Sequence, residues 1–198
     1  MILTEVPIFP LNTVLLPEAE LSLRIFEPRY TDMISRCMKS SSSFGVCLIR
    51  EGQEAGLASS TYEMGTLADI QDWNMRADGF LGITVRGDKR FKILNEEVKP
   101  GQLLVAKIEV FEDDCQIMIS RDYEFLFSLF NDLQNQSDIV YSLDKLAKDG
   151  GNRLGLALAN LLPIKLTQKQ YFLQLTNPEL RLEGIADLVN QLNLKSAM

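Results

Sequence analysis

The stretch that decides the fold of the first half of the chain is DGFLGITVRGDKRFKI, residues 78–93. Apolar residues alternate with small or polar ones along its first part, which is the period typical of a strand with one buried face. Two dipeptides, Asp78-Gly79 and Gly87-Asp88, consist of residue types that tolerate a positive φ, so each predicts a tight turn. The stretch therefore predicts consecutive antiparallel strands without crossover helices.

The same period of two extends outward from this stretch in both directions. It predicts further strands at 4–9, 21–26, 44–50, 65–75 and 103–111. One helix interrupts them, between Glu27 and Ser40, because Pro28 suits a first helical turn and apolar residues then recur at helical spacing.

After an acidic run at 112–114 the period of the apolar residues changes to about 3.6, which indicates helices. Gly150-Gly151 predicts a break between two of them, and Thr167 with Gln170 has the spacing of a capping box. Asn177 followed by Pro178 predicts the start of the last helix. The predicted fold class is α+β, with a β-rich domain at 1–115 and a helical domain at 116–198.

Composition excludes several function classes. The chain has 198 residues and no histidine, which removes Ser-His and Cys-His nucleophile activation. Its three cysteines, Cys37, Cys47 and Cys115, have no C-x-x-C spacing, so no zinc site is expected. We expect neither a metal nor a cofactor.

Charge and hydropathy argue against nucleic acid and membranes as partners. Twenty basic residues against 27 acidic ones give a net charge of −7, which repels phosphate backbones and anionic lipids. No run of about 18 apolar residues occurs, and no basic residue precedes Arg24 as in a signal peptide. We expect a cytoplasmic protein.

Several blocks of sequence, taken in order, resemble one known family: VPIFPLNTVLLP (6–17), LSLRIFEPRY (21–30), FGV (44–46), GTLADI (65–70), VRGDKRFKI (85–93), LANLL (158–162), KQYFL (169–173) and RLE (181–183). This family is the N-terminal substrate-binding domain of Lon-type ATP-dependent proteases, and the resemblance covers nearly the whole chain. One departure is Glu18, because family members commonly have Gly after the position of Pro17.

The resemblance implies an antiparallel β-barrel-like subdomain, similar to the PUA-like pseudobarrel, followed by a helical bundle. The 198 residues contain no G-x-x-x-x-G-K-[ST] phosphate loop. The expected protein is therefore a stand-alone, non-catalytic member that binds unfolded polypeptides or peptide segments, as an adaptor or a chaperone-like binder. A separate protease or ATPase is a further expected partner.

Two other function classes stay open. Ser142 and Lys145 have the S-x-x-K spacing of hydrolases in which lysine activates serine, although Ser142 equally suits a helix cap. RNA binding through the PUA-like barrel would require a local basic face despite the net charge. The neighbouring acids Glu96 and Glu97, and those at 112–114, are interpreted as solvated rather than catalytic or metal-binding.

Two residues are the candidate binding site. Trp73 and Met75 share a predicted strand face with Asp69 and Gln71 near the Asp78-Gly79 turn, where they could form an exposed apolar patch for a polypeptide. A buried rim is the alternative. The apolar residues of the resembling blocks are instead expected in the core: Phe9, Pro10, Leu11, Ile25, Phe26, Tyr30 and Phe91.

Overall fold

The computed structural model describes residues 2–112, 123–137, 141 and 143–196, with side chains at 4–112, 123–137, 141 and 151–192. The chain divides into two compact units, Met1–Glu112 and Asp113–Met198. The first is built from strands and one helix and the second from helices, so the predicted α+β class is confirmed.

The first unit contains seven strands and one helix in its described residues. In chain order they are β1 (Ile2–Leu11), β2 (Glu20–Ile25), α1 (Pro28–Ser40), β3 (Phe44–Glu51), β4 (Ser60–Thr61), β5 (Met64–Met75), β6 (Leu81–Val98) and β7 (Leu104–Val110).

Five of these strands form a nearly closed ring. Their order is β1-β7-β6-β5-β3, and β3 returns to pair with β1. The β1–β3 pair is parallel, whereas the other pairs of the ring are antiparallel, as the alternating sequence predicts. The side chains inside the ring form its core, including Ile8, Phe91 and Ile108, each fully buried.

One of the two predicted hairpins is present. At Asp78-Gly79 the chain reverses between β5 and β6, with the Gly79 amide donating to the Arg76 carbonyl at 3.0 Å and Gly79 at φ 79°. At Gly87-Asp88 the prediction of a turn is wrong, because β6 continues through it to Val98. Asp88 and Lys89 lie opposite the single residue Leu67 of β5, so one extra residue forms a bulge in β6.

Gly87 serves a close approach rather than a turn. Its amide donates to the Ala19 carbonyl at 2.9 Å, and its carbonyl accepts from the Glu18 amide at 2.7 Å. A Cβ at this position would lie 2.3 Å from the Leu16 carbonyl oxygen, so only glycine fits without movement of backbone. Glu18 itself has φ 64°, the backbone region that a glycine would occupy freely.

Helix α1 begins and ends as the sequence predicts. Pro28 occupies its first turn, and Ser41 ends it at φ 50° with the Ser42 amide donating to the Cys37 carbonyl at 3.0 Å. Tyr30, Met33, Ile34 and Cys37 form its buried face.

The second unit contains four helices in its described residues: α2 (Glu124–Asn135), α3 (Leu143–Leu161), α4 (Leu166–Gln174) and α5 (Pro178–Ser196). The predicted break at Gly150-Gly151 is wrong, since α3 runs through it. Burial of Leu154 and Leu158 in the second half of α3 offsets the roughly 1 kcal/mol that each glycine costs in a helix.

The sequence predicts the start of α5 correctly and the start of α4 incorrectly. Asn177 Oδ1 accepts from the Glu179 amide at 2.8 Å and so caps α5 as predicted. Helix α4 begins before Thr167 instead of at it, because Gln168 reaches back to accept from the Lys165 amide at 3.1 Å. Gln170 is buried and its Nε2 donates to Gln174 Oε1 at 3.1 Å.

Candidate functional site

Three strand segments extend from the ring as a small sheet, which we call the flap: β2, residues 69–75 of β5 and residues 81–86 of β6. Strand β6 lies in the middle, paired with β2 on one side and with β5 on the other. Residues directly opposite one another share a face of a sheet. Pairing of Leu23 with Ile83, and of Ile83 with Trp73, therefore defines one apolar face of the flap.

Trp73 and Met75 lie on this apolar face near its outer end. Their exposed fractions are 56% and 68%, so the structure places both in solvent and not in a buried rim. The prediction that they share a face with Asp69 is wrong, because Asp69 is opposite Arg86 and Trp73 is opposite Ile83. A bulge at Gln71 shifts the register between Ile70 and Asp72, so Ile70 lies on the face of Trp73.

A groove of about 400 Å³ lies between Trp73 and the C-terminal end of α1. Met38, which is 37% exposed, and Ile70 supply apolar lining. Polar lining comes from Ser41, Ser42 and Asp69, and the Asp69 carboxylate accepts from Ser43 Oγ at 2.5 Å. The groove thus combines a large aromatic surface and a flexible thioether with a few polar groups.

The flap also has an open strand edge beside this groove. Strand β3 pairs with β5 only at 66–68, so among the described residues 69–75 of β5 pair on one side only, with β6. Backbone N–H and C=O groups along such an edge can pair with an added extended strand. The edge, Trp73 and Met75 are therefore available to the same extended segment.

A second pocket, of about 240 Å³, lies where β2 approaches the N-terminal end of α1. Phe9 and Tyr30 stack there with ring centroids 4.0 Å apart. The pKa of Tyr30 is raised to about 12, and burial is the main cause. Arg29 lowers this pKa, whereas the carboxylates of Glu27 and Glu54 raise it. The Tyr30 hydroxyl is consequently protonated at neutral pH.

Sequence reasoning missed an aromatic cluster at the tip of the flap. Phe26 was expected in the core, yet it is 50% exposed and meets Phe80 edge-to-face at 6.5 Å. The Arg24 guanidinium lies 4.4 Å from the Phe80 ring centre and its Nε lies 3.1 Å from Asp78 Oδ2. Strand alternation was the available signal, because Ile25 points inward and its neighbour Phe26 therefore points outward.

The other expected core residues of the resembling blocks are buried, namely Phe9, Pro10, Leu11, Ile25, Tyr30 and Phe91.

Burial raises the pKa of both Cys37 and Cys47, so these thiols are protonated and poorly nucleophilic.

The alternative catalytic residues fall mainly outside what is described. Ser142, Asp113, Asp114 and the side chain of Lys145 lie there. Glu96 and Glu97 are exposed on β6. Within the described ranges no group of cysteine, aspartate and glutamate side chains could hold a metal ion.

The basic residues of the first unit are largely paired with acids. Among the ion pairs between described residues, seven of its twelve Lys and Arg side chains have an acidic partner, and the shortest of these distances, 2.6 Å, joins Lys89 Nζ to Glu112 Oε2. Pairing of this kind weakens the local basic face that RNA binding would need.

Among the described helices, none is long and apolar enough to cross a membrane.

Comparison with known proteins places the chain in a family. Residues 5–191 match the sequence profile of the ATP-dependent protease La (LON) substrate-binding domain. The chain belongs to this family. The resemblance of the sequence blocks is thereby confirmed, and the LON substrate-binding domain accounts for nearly all of the 198 residues.

Two bacterial proteases are relatives of this LON domain. It is 34% identical over 130 residues to the Lon protease of Parabacteroides distasonis, and this match covers 65% of the chain. It is 25% identical over 127 residues to Lon protease 1 of Bdellovibrio bacteriovorus, covering 63% of the chain. The matched segments make up 16% of each protease.

Solved structures share the fold. The crystal structure of a Lon N-terminal domain protein from Xanthomonas campestris superposes with a TM-score of 0.78 at 32% identity, covering 93% of this chain and 98% of that one. The N-terminal domain of Lon protease from Mycobacterium avium complex superposes with a TM-score of 0.63 at 17% identity, covering 93% and 97%. The second likeness concerns the fold alone.

Proposed function

We propose that this LON domain is a non-catalytic polypeptide-binding module that takes up unfolded or extended segments, as an adaptor or a chaperone-like binder. The observation that carries the proposal is the exposure of Trp73 and Met75 beside the open edge of β5. Membership in a family described as substrate-binding supports it. A protease or an ATPase that receives the bound segment is the proposed partner.

The chemistry of the surface suits ligands of varied sequence. A strand added to β5 would be held by backbone hydrogen bonds, which do not depend on the side chains of the ligand. Trp73 offers a large apolar area, and the unbranched side chains of Met75 and Met38 adapt to different shapes. Affinity would thus come from the edge and the apolar contacts together.

Trp73→Ala tests the proposal. We expect it to weaken binding of labelled unfolded casein by roughly 1–2 kcal/mol, the scale of an interface anchor, and to leave the melting temperature almost unchanged. Fluorescence anisotropy measures the affinity. Trp73 is the only tryptophan, so its own emission should also shift to the blue when a segment covers it.

The matched control is Tyr171→Ala, because Tyr171 is an aromatic residue of the helical unit with the same exposed fraction, 56%. It should leave casein affinity unchanged. A Trp73→Ala protein that melts earlier and binds casein as well as the unmodified protein would show that Trp73 serves stability, and the proposal would fail.

The absence of catalysis is a separate expectation. Purified protein incubated with unfolded casein and ATP should release neither peptide fragments nor phosphate. Electrophoresis and a phosphate assay measure both products. Activity that survives repurification, and that is lost in a Lys145→Met protein, would instead support the Ser142 and Lys145 hydrolase.

A further inference from the structure

We infer that the 240 Å³ pocket between β2 and α1 binds one lysine or arginine side chain of the polypeptide, and so gives the domain a preference for basic, apolar segments. This inference rests on the proposed function, since the ligand is a polypeptide. It adds a site and a side-chain class beyond the Trp73 and Met75 patch.

The walls of the pocket suit the aliphatic part of a long side chain. Leu23 and Ile25 line it from one face of β2, and the stacked Phe9 and Tyr30 line it from the other side. Tyr30 is stacked on Phe9 and covered by the Arg29 guanidinium, 4.6 Å from its ring centre, so the two buried rings supply apolar contact to the stem and not a free face for its charge. The pocket is smaller than the cavities that hold drug-sized ligands, and its size fits a single side chain.

The charges at the pocket favour a cation. Of the three charged lining residues, Glu27 is paired with Arg29 at 3.0 Å and Arg24 with Asp78 at 3.1 Å. Glu54 accepts only the Asn12 amide, at 2.6 Å, among its described hydrogen bonds and ion pairs. Its negative charge has no cationic partner there, and a ligand ammonium or guanidinium group would supply one.

Long-range attraction acts in the same direction as the pocket. The first unit, residues 1–112, has 12 basic and 16 acidic residues, a net charge of −4. Its field attracts basic segments at low salt. The two contributions can be separated, because a charge removed elsewhere in the unit changes the field equally and leaves the pocket intact.

Peptides that differ at one position test the pocket. We would use an extended ten-residue peptide of Ser, Thr, Val and Leu with a central lysine, norleucine or glutamate, and measure affinity by fluorescence anisotropy. Norleucine keeps the aliphatic stem of lysine without its charge. The lysine peptide should bind about threefold to tenfold more tightly than the norleucine peptide, and the preference should decline with added salt.

Glu54→Gln should remove most of that preference, leaving only the part that the overall field supplies, while the norleucine peptide binds as before because glutamine still accepts the Asn12 amide. The control is Glu63→Gln, which removes the same charge from an exposed residue that does not line the pocket. It should keep the preference. Circular dichroism and melting curves establish that both variants fold.

Four results would overturn the inference. Equal binding of the lysine and norleucine peptides by the unmodified protein would reject the pocket and leave the proposed function standing. A preference that Glu54→Gln leaves undiminished, or that Glu63→Gln lowers equally, would assign it to the overall field. If none of the peptides binds, the proposed function fails and the pocket fails with it.

Discussion

Strand β5 has two halves with opposite environments. Every residue from Met64 to Ala68 is buried, whereas every residue from Gln71 to Met75 is exposed. The first half lies in the ring, between β3 and β6, and the second half lies in the flap, where only β6 pairs with it. The end of pairing with β3 at Ala68 therefore separates the buried part of the strand from the part that is exposed and paired on one side only.

Two glycines, Gly65 of β5 in the ring and Gly82 of β6 in the flap, have different surroundings. In the ring, a Cβ on Gly65 would lie 2.5 Å from the Val46 carbonyl oxygen and 2.7 Å from the Phe91 ring. In the flap, a Cβ on Gly82 would first meet the ends of flexible side chains, with Asn74 Oδ1 at 2.7 Å. A side chain added at Gly65 would therefore meet backbone, whereas one added at Gly82 would meet side chains that can move.

The largest expected effect comes from adding a methyl group to each half. Gly65→Ala should lower the free energy of unfolding by about 3 kcal/mol, because backbone and the Phe91 ring must move. Gly82→Ala should change it by less than about 1 kcal/mol, since Asn74 and Arg76 can rotate away. Urea denaturation measures both values. Equal losses would show that the flap is packed as rigidly as the ring.

A smaller effect is expected from removing one hydroxyl in each half. Thr66 is fully buried and its Oγ1 donates to the Leu15 carbonyl at 2.6 Å. Thr66→Val leaves that carbonyl unpaired and should cost about 1–2 kcal/mol in the free energy of unfolding. Thr84, partly exposed on β6 in the flap, is the matched control.

Thr84→Val should remain within about 0.5 kcal/mol of the unmodified protein in the same urea titration. A loss at Thr84 as large as that at Thr66 would contradict the distinction between the two halves.

The smallest effect concerns the tip of the flap and depends on pH. The pKa of Asp78 is lowered below its ordinary value of 3.8, mainly because the Phe80 amide donates a hydrogen bond to its carboxylate. Arg24 and Arg76 lower it further. A carboxyl with a lowered pKa in the folded state stabilises that state above its ordinary pKa. This contribution is lost as the pH falls through the lowered pKa.

The Phe80 amide proton should report this titration by NMR, with a midpoint below 3.8. The shift should be absent in Asp78→Asn, and the urea midpoint of that variant at neutral pH should stay close to that of the unmodified protein. A large decrease in the urea midpoint would show that the tip of the flap stabilises the whole unit.

Local signals predicted only part of this arrangement. Asp78-Gly79 and Gly87-Asp88 look alike as dipeptides, yet only the first reverses the chain. The second is held in a continuous strand by hydrogen bonds to Ala19 and Glu18, almost 70 residues earlier. Trp73 is exposed, and its role in binding stays a prediction; the bulge at Gln71 changed which residues share its face.

The sequence by itself determined the features that depend on a few neighbouring residues. The hairpin at Asp78-Gly79, the start of α1 at Pro28 and the Asn177 cap of α5 follow from backbone sterics and short hydrogen bonds, which the residues nearby specify. Blocks of family sequence determined the fold class, since they carry its pattern of strands and helices.

Only the tertiary structure decided which faces and edges of the strands other segments cover. The ring closes through the parallel pairing of Ile8 with Gly45. Glu54 lies at the second pocket because its carboxylate accepts a hydrogen bond from the Asn12 amide, 42 residues away in the chain. Trp73 is exposed because β3 leaves β5 before reaching it. Burial and charge pairing arise from contacts between distant segments, and alternation along one strand specifies two faces but not which of them another segment will cover.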